Sequence, residues 1–193
     1  MESEHLKLEI LTSERIPELF EVVGSEPEVY RWLPFAKPRN LREFRIVLEG
    51  FIKDTELGIR KAHAVILKSS GAAIGTTSFL DINPAHNSLE IGSTFYAKEF
   101  WRSFVNTECK LIMLTEAFEE RGVERVTLKT DSMNERSKAA IARLGATYEG
   151  TLRHHMRRPD GSWRDSAYFS ILRSEWPSVQ ARLISKLDAG SGS

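Results

Sequence analysis

Short stretches of alternating or β-branched residues along the chain predict the strands of a sheet. Apolar and polar side chains alternate from Leu6 to Leu11, as in a strand with one buried face. Similar signals predict six further strands. They run over His63 to Lys68, Ala73 to Ile82, Leu89 to Tyr96, Val126 to Lys129, Tyr148 to Met156 and Ser162 to Ile171. Turn residues at 69–71 and 159–161 join two pairs of these strands as hairpins.

Helical periodicity occupies most of the intervals between the strands. Apolar residues recur every three or four positions in five segments, as on the buried face of a helix. The first helix begins after Thr12 or Ser13 and ends at Gly24, and the others cover Leu41 to Leu57, Thr107 to Arg121, a segment that opens within residues 130–137 and stops at Gly145, and Ser174 to Leu187. Terminal hairpins and central helical crossovers predict a mixed α/β fold. We expect one domain over residues 1–188 and a disordered tail over residues 189–193.

The charge and cysteine content of the chain exclude several classes of protein. Its 27 Lys and Arg balance its 27 Asp and Glu, so no net field draws it to nucleic acid or to an anionic membrane. Cys109 is the one cysteine, which excludes an intramolecular disulfide and fits a reducing cytosol. No apolar run approaches the roughly 20 residues that a membrane-spanning helix needs, and Met1 to Leu11 is too charged for a signal peptide. We therefore expect a cytoplasmic protein.

A polar turn before the third predicted helix is the first candidate site. Residues Trp101 to Asn106 connect the strand Leu89–Tyr96 to the helix from Thr107. Backbone N–H groups at a helix start have no partner within the helix, and together with the helix dipole they favour an anion. Arg102 adds a charged donor, and Asn106 is a candidate N-cap. By themselves, these residues fit an ordinary loop before a capped helix at least as well.

The start of the following helix is the second candidate site. Ser132 and Glu135 have the spacing of a capping box, and Asn134 can cap the helix instead. Capping explains these residues but does not require Ser137. The spacing of three places the Asn134 and Ser137 side chains on one face of the helix start, directed towards the strands.

The order of elements from Leu89 to Leu144 is strand, turn, helix, strand and helix, and it resembles the acetyl-CoA core of the GNAT superfamily of N-acetyltransferases. Asn134-Glu135-Arg136-Ser137, followed by Leu144-Gly145-Ala146 and Glu149-Gly150, is similar to the branch that includes the ribosomal-protein N-terminal acetyltransferases. The resemblance implies an α/β acyl-CoA N-acyltransferase fold, whose central mixed, mostly antiparallel sheet is flanked by helices. It also implies acetyl-CoA as cosubstrate, an amine acceptor and no metal.

The resemblance assigns a cofactor-binding role to both candidate sites. The family phosphate loop is Gln/Arg-x-x-Gly-x-Gly/Ala; in the matching residues, Trp101 replaces Gln or Arg and Phe104 replaces the first glycine. Phe104 must therefore point away from the phosphates, or the loop differs. The cofactor-binding residues implied are Arg102, Ser103, Phe104, Val105, Asn106, Thr107, Asn134 and Ser137. Among them, Asn134 would hold the pantetheine arm and Ser137 would donate a proton to the departing thiolate.

The resemblance also implies roles for three residues outside those sites. In the family, the strand that corresponds to Leu89–Tyr96 separates from its neighbour, and its backbone polarises the thioester carbonyl. Glu90 lies upstream of that point and is the candidate catalytic base, acting through water; the alternative is a solvent-facing strand residue. Tyr30 and Trp32 belong to an aromatic segment that would wall the acceptor pocket, and the alternative is that these rings fill the core.

The scarcity of strong bases favours a weakly basic acceptor. A protein α-amine with a pKa of about 7.7 costs roughly 1 kcal/mol to present neutral at pH 7, against roughly 4.6 kcal/mol for a lysine amine near 10.4. We therefore expect acetyl transfer by direct attack of a protein N-terminal α-amine or a small-molecule amine.

Two other functions stay open at this stage. The replacement of the loop glycine by Phe104 is compatible with a catalytically weak or inactive acyl-CoA-binding module. The basic run Arg153 to Arg158 could bind polyanions or a protein, but a solvated hairpin with cross-strand ion pairs to Asp165 explains it better. Cys109 is interpreted as a packing residue. A homodimer through the C-terminal hairpin or an edge strand is compatible with the sequence.

Overall fold

Seven strands form one sheet in the computed structural model, which describes residues 1–190. They are β1 (Leu6–Ile10), β2 (Lys61–Leu67), β3 (Ala72–Asn83), β4 (Ser88–Tyr96), β5 (Arg125–Asp131), β6 (Thr147–Arg157) and β7 (Trp163–Leu172). Their order across the sheet is β1-β2-β3-β4-β5-β7-β6. Only β4 and β5 pair in parallel, so the prediction of an α/β fold with a mixed, mostly antiparallel sheet is confirmed.

Six helices surround the sheet within the described residues. They are α1 (Ile16–Val23), α2 (Pro27–Tyr30), α3 (Leu41–Glu56), α4 (Val105–Thr115), α5 (Glu135–Leu144) and α6 (Trp176–Gly190), and α4 continues into a π-helical turn at Glu116–Glu120. Helix α6 runs through Gly190, so the predicted tail is helical at its first two residues. Residues 191–193 lie outside the described part of the chain.

Two apolar clusters cover opposite faces of the sheet. In β2, Ala64 packs with α1 and α3, while the adjacent Val65 packs with α4 and α6. Because neighbouring side chains of a strand point to opposite faces, α1 and α3 lie on one face and α4 and α6 on the other. In β5, Val126 and Leu128 belong to the α4 and α6 cluster. The alternate residue Lys129 therefore lies on the opposite face.

Of the two helix starts near the candidate sites, that of α4 differs from the prediction, and that of α5 agrees with one of the two predicted caps. Helix α4 begins at Val105, two residues early, so Asn106 lies in its first turn and is not its N-cap. The Val105 N–H donates instead to Ser103 Oγ at 3.2 Å. At α5, the cap is Asn134, whose Oδ1 accepts from the Ser137 N–H at 3.1 Å. The predicted stop at Gly145 is confirmed, because this glycine adopts a left-handed φ of 100°.

The C-terminal hairpin is held differently from the prediction. Asp165 makes no ion pair among the described residues, and its Oδ1 accepts from the His154 N–H at 2.7 Å. The positive φ of His154 (50°) brings that N–H to the carboxylate. Arg158 instead pairs with the buried Asp131 of β5, with Nε and Nη2 at 2.8 and 3.1 Å from the two carboxylate oxygens. Cys109 is fully buried in the core, as expected of a packing residue.

Within residues 1–190, the structure contains no helix that is long and apolar enough to cross a membrane. The same residues hold no group of three or more His, Cys, Asp or Glu side chains placed to bind a metal.

Candidate active site

A cavity of about 980 Å³ opens where β4 and β5 separate. Their parallel pairing covers only Ser88–Glu90 against Arg125–Thr127, and beyond it the two strands diverge. The cavity runs from the start of α4 and α5, past the open edge of β4, to the segment after α2. Its lining includes Trp32, Leu33, Arg60, Glu90, Ser93, Thr94, Trp101, Arg102, Ser103, Asn106, Thr107, Lys110, Lys129, Asn134, Arg136, Ser137, Arg143, Arg164 and Lys186.

The turn before α4 brings four of the predicted cofactor residues to the cavity, namely Arg102, Ser103, Asn106 and Thr107. Arg102 has a left-handed φ of 62°, which lets the backbone turn sharply into the helix. The other two predicted residues lie elsewhere. The Phe104 ring packs against His5 with centroids 4.9 Å apart, and the Val105 side chain is buried in the core. The Phe104 ring therefore points away from the cavity, as expected if this loop binds phosphate.

The start of α5 places both predicted residues, Asn134 and Ser137, in the cavity lining. Because Asn134 Oδ1 already caps the helix, only its Nδ2 amide is free to donate to a ligand. Sequence reasoning missed Arg136, which lies between them. Its guanidinium stacks on the Trp101 ring at 3.7 Å from the centroid, and burial lowers the pKa of this arginine. The signal that could have found it is Trp101 itself, at a loop position where the family has a polar or charged residue.

The middle of the cavity is the open edge of β4. A bulge interrupts its pairing with β3 between Thr76 and Ser78, and Ser93 has a positive φ of 47° there. Sequence reasoning also missed Lys110 of α4, which is only 5% exposed. It reaches this edge and donates from Nζ to Thr94 Oγ1 at 2.8 Å. Burial lowers the pKa of Lys110.

Glu90 is not the solvent-facing residue that strand alternation allowed, because it is 3% exposed and lines the cavity. It lies on the sheet face opposite the neighbouring core residues Leu89 and Ile91. Its Oε2 is 2.7 Å from Lys129 Nζ, and that ammonium is also 3.7 Å from Asp81 Oδ2. Burial raises the pKa of Glu90, and the Lys129 charge opposes part of this rise.

The two predicted acceptor residues separate in the structure. Trp32 lines the cavity with Leu33. Tyr30 does not, because it is buried in the core beneath the cavity wall, with its ring 6.2 Å from that of Phe35 and 6.5 Å from that of Phe95. The prediction that Tyr30 walls the acceptor pocket is wrong, because its ring lies in the core. The segment is irregular, so no alternation in it indicates which of the two rings faces inward.

Comparison with known proteins places this geometry in a family. The family model described as "Acetyltransferase (GNAT) domain" matches residues 5–147. The Bacillus subtilis (strain 168) protein named "Putative ribosomal N-acetyltransferase YdaF" is 28% identical over 180 residues, which cover 90% of this chain and 94% of that protein. These matches confirm the resemblance seen in the sequence.

Two solved structures have the same fold. A GCN5-related N-acetyltransferase from Brucella melitensis is 30% identical with a TM-score of 0.89, and the match covers 95% of this chain and 83% of the other. A structure described as Mycobacterium smegmatis RimJ in complex with CoA-disulfide is 19% identical with a TM-score of 0.80, covering 94% and 88%. At that identity the second likeness shows the fold alone. The family match over most of the chain, with the divergence of β4 from β5, shows that this protein belongs to the GNAT family of acetyltransferases.

Proposed function

We propose that the chain is one N-acetyltransferase domain that transfers acetyl from acetyl-CoA to a primary amine. The amine attacks the thioester directly, and the protein acts in the cytoplasm. The observation that carries the proposal is that one continuous cavity joins a cationic end to a free strand edge and a buried carboxylate. Such an arrangement suits a long phosphorylated ligand whose reactive end lies at the strand edge beside a base.

The residues at the cationic end fit the diphosphate and 3′-phosphate of CoA. Arg102, Arg136, Arg143 and Lys186 all line it, and the N-terminal N–H groups of α4 adjoin them. Their charge is local, since the chain as a whole is neutral. The Asn134 amide lies further along the cavity and would donate to the pantetheine arm.

The chemistry would occur at the free edge of β4. Bound acetyl-CoA supplies the activated thioester, and backbone N–H groups of β4 beyond Glu90 would polarise its carbonyl. Glu90 would take a proton from the incoming amine through water. The Ser137 hydroxyl would protonate the thiolate as it leaves. Holding the amine against the thioester contributes further, because it removes the entropic cost of a bimolecular encounter.

The relatives support a protein N-terminal amine as one acceptor class, because the Bacillus subtilis protein is named as a ribosomal N-acetyltransferase. A small-molecule amine is the other class. A protein α-amine and a weakly basic small-molecule amine both avoid the roughly 4.6 kcal/mol that a neutral lysine amine would cost at pH 7. The rival function, an inactive acyl-CoA binder, was motivated by Phe104, whose ring packs on His5 outside the cavity.

A thiol-release assay with acetyl-CoA and a panel of amines tests the proposal. Ser137→Ala should lower kcat by about tenfold or more while the Kd for CoA stays within about twofold. Ser132→Ala, in the turn that precedes α5, is the matched control and should behave as the wild type. Asn134→Ser retains a capping oxygen and removes the amide donor, so it should weaken CoA binding with little loss of stability. Tight CoA binding without product from any amine would favour the inactive binder, and no CoA binding would refute both functions.

A further inference from the structure

Arg164 of β7 is a buried arginine whose charge the protein does not satisfy. Its residue exposure is 7%, and its side chain forms no hydrogen bond and no ion pair with any other described residue. The buried Nε in particular has no acceptor. An unpaired guanidinium stays charged in a protein, so its burial is costly unless something else supplies an acceptor.

The two carboxylates whose charges act most strongly on Arg164, Asp131 and Glu90, are bound to other partners. Asp131 accepts two hydrogen bonds from the Arg158 guanidinium and a third from the Met133 N–H at 3.0 Å. Glu90 pairs with Lys129 at 2.7 Å. Arg164 is therefore left with its donors free.

Those donors are at the acceptor end of the cavity. Arg164 lines the cavity with Glu90 and Met156. Along β7, Ala167 and Phe169 pack into the α4 and α6 core, so the alternation of the strand places Arg164 on the opposite face, with Tyr168. That is also the face of Glu90, the proposed base. A group bound to Arg164 would thus lie on the side from which the amine approaches.

A second arginine on this cavity wall is also incompletely paired. The Arg60 guanidinium stacks on the Phe51 ring at 3.9 Å, and its buried Nε has no hydrogen-bond acceptor. Its nearest carboxylate oxygen, Asp54 Oδ2, is 3.8 Å away, which is too far for a hydrogen bond. The acceptor end thus offers two planar guanidinium groups, and that geometry matches a carboxylate.

We propose that Arg164 binds a carboxylate of the acceptor, so that the acceptor class of this enzyme is a primary amine that also carries a carboxylate. The inference rests on the proposed acetyl transfer and names its substrate class. Two sources supply this chemistry: an acidic side chain beside the N-terminal amine of a peptide, and the α-carboxylate of a free amino acid.

Matched acceptor pairs that differ only in the carboxylate test the proposal and separate the two sources. The peptide pair is the amidated tripeptide Ser-Asp-Gly against Ser-Asn-Gly, and the amino-acid pair is alanine against alaninamide. Because an α-carboxylate also raises the pKa of the neighbouring amine, kcat/KM is expressed per unprotonated amine for every acceptor. In one pair, the wild type should acetylate the carboxylate member with a kcat/KM about tenfold higher or more. The pair that shows the ratio identifies the source. A ratio near one in both pairs would overturn the proposal and leave the acetyltransferase function standing.

Variants connect the preference to Arg164. Arg164→Gln should remove the ratio, because kcat/KM falls more for the carboxylate member than for its neutral partner, while the Kd for CoA stays within about twofold; Arg164→Lys should restore part of the ratio. Arg153→Gln removes an exposed arginine of the neighbouring strand β6 and should leave the ratio intact. Equal losses for both members of a pair, together with weaker CoA binding, would mean that Arg164 is structural and would overturn the proposal.

Calorimetry keeps the inference testable if no acceptor turns over or if Arg164→Gln does not fold. Wild-type enzyme saturated with CoA is titrated with each of the four acceptors. Tighter binding of the carboxylate member by about tenfold supports a carboxylate site even where acetyl transfer fails. Equal affinity within both pairs refutes it.

Discussion

Lys129 Nζ lies 2.7 Å from Glu90 Oε2, at the end of the three residue pairs over which β4 and β5 run in parallel. The two side chains project from neighbouring strands onto the same face of the sheet, at the point where the cavity begins. Burial raises the pKa of Glu90, which would make it a stronger base than an ordinary carboxylate. The lysine favours the ionised form of that carboxylate and fixes its position.

The Glu90–Lys129 pair predicts a change in the pH dependence of catalysis. In Lys129→Met the ammonium that opposes the rise is lost, so the pKa of Glu90 moves further up. A base must be deprotonated to act, and the acid limb of the kcat/KM profile should therefore shift to higher pH by about one unit. The measurement is kcat/KM for one acceptor between pH 5 and 9.

Glu90→Gln is the control for that experiment. It should lower kcat and abolish the limb that Lys129→Met displaces, leaving only the ionisation of the amine itself. A limb that stays in place in Lys129→Met and survives in Glu90→Gln would exclude Glu90 as the base.

The stacked pair of Arg136 and Trp101 predicts a contribution to CoA affinity. Removing the guanidinium in Arg136→Gln takes a cation from the cationic end of the cavity, which we propose binds the CoA phosphates through charge-assisted contacts. We expect the Kd for CoA to rise by about tenfold, equivalent to about 1.4 kcal/mol. Titration calorimetry at low salt measures it directly.

Lys138→Gln makes the same change of charge two residues later on α5. Its ammonium pairs with Glu135 at 2.6 Å, and Lys138 is absent from the cavity lining described above. CoA affinity should change by less than about twofold in this control. Equal losses in the two variants would reduce the role of Arg136 to a general effect of net charge.

The fold was predictable because its signals are local and repeated. Alternating or β-branched stretches located all seven strands, and Gly145 and the turn at residues 69–71 are required by left-handed backbone or hairpin geometry. That Asn134 and Ser137 line the same cavity was predictable, because a three-residue spacing on a helix fixes a shared face.

The remaining site residues depend on contacts between distant segments. Arg136 gains its role from a ring 35 positions earlier in the chain, and Lys110 from a hydroxyl on β4. Whether Tyr30 or Trp32 faces the cavity is decided by packing on Phe35 and Phe95, since no period governs an irregular segment. Burial of the Glu90 carboxylate likewise follows from the sheet order, which alternation along one strand does not contain.

Substitution of Glu108 should lower stability, because this one carboxylate of α4 anchors the N-terminal segment. Its Oε1 accepts from the His5 N–H at 2.8 Å, the Leu6 N–H at 3.0 Å and the Ser3 hydroxyl. Burial acts to raise the pKa of Glu108, but these hydrogen bonds outweigh it and the pKa is lowered. Glu108→Gln should reduce the free energy of unfolding by about 2 kcal/mol, as buried N–H groups lose a charged acceptor.

Urea denaturation at pH 7 measures the Glu108 effect, with Glu120→Gln as the control. Glu120 is an exposed glutamate in the π-helical turn after α4, so its substitution should change stability by less than about 0.5 kcal/mol. Indistinguishable stabilities of the two variants would show that the carboxylate does not anchor the N-terminal segment.

The buried imidazole of His63 should cause the protein to lose stability in mild acid. It is buried in β2, its Nδ1 has no hydrogen-bond partner among the described residues, and burial lowers its pKa from 6.5 to about 3. The folded protein therefore keeps His63 neutral while the unfolded chain binds a proton below pH 6.5, so stability falls as the pH drops from 6.5 towards 3. At pH 5, 1.5 units below the ordinary pKa, the loss should be about 2 kcal/mol. In His63→Gln this component is absent, so the difference in unfolding free energy between the two proteins should shrink by that amount from pH 7 to pH 5. A difference that stays constant with pH would mean that His63 can be protonated in the folded state.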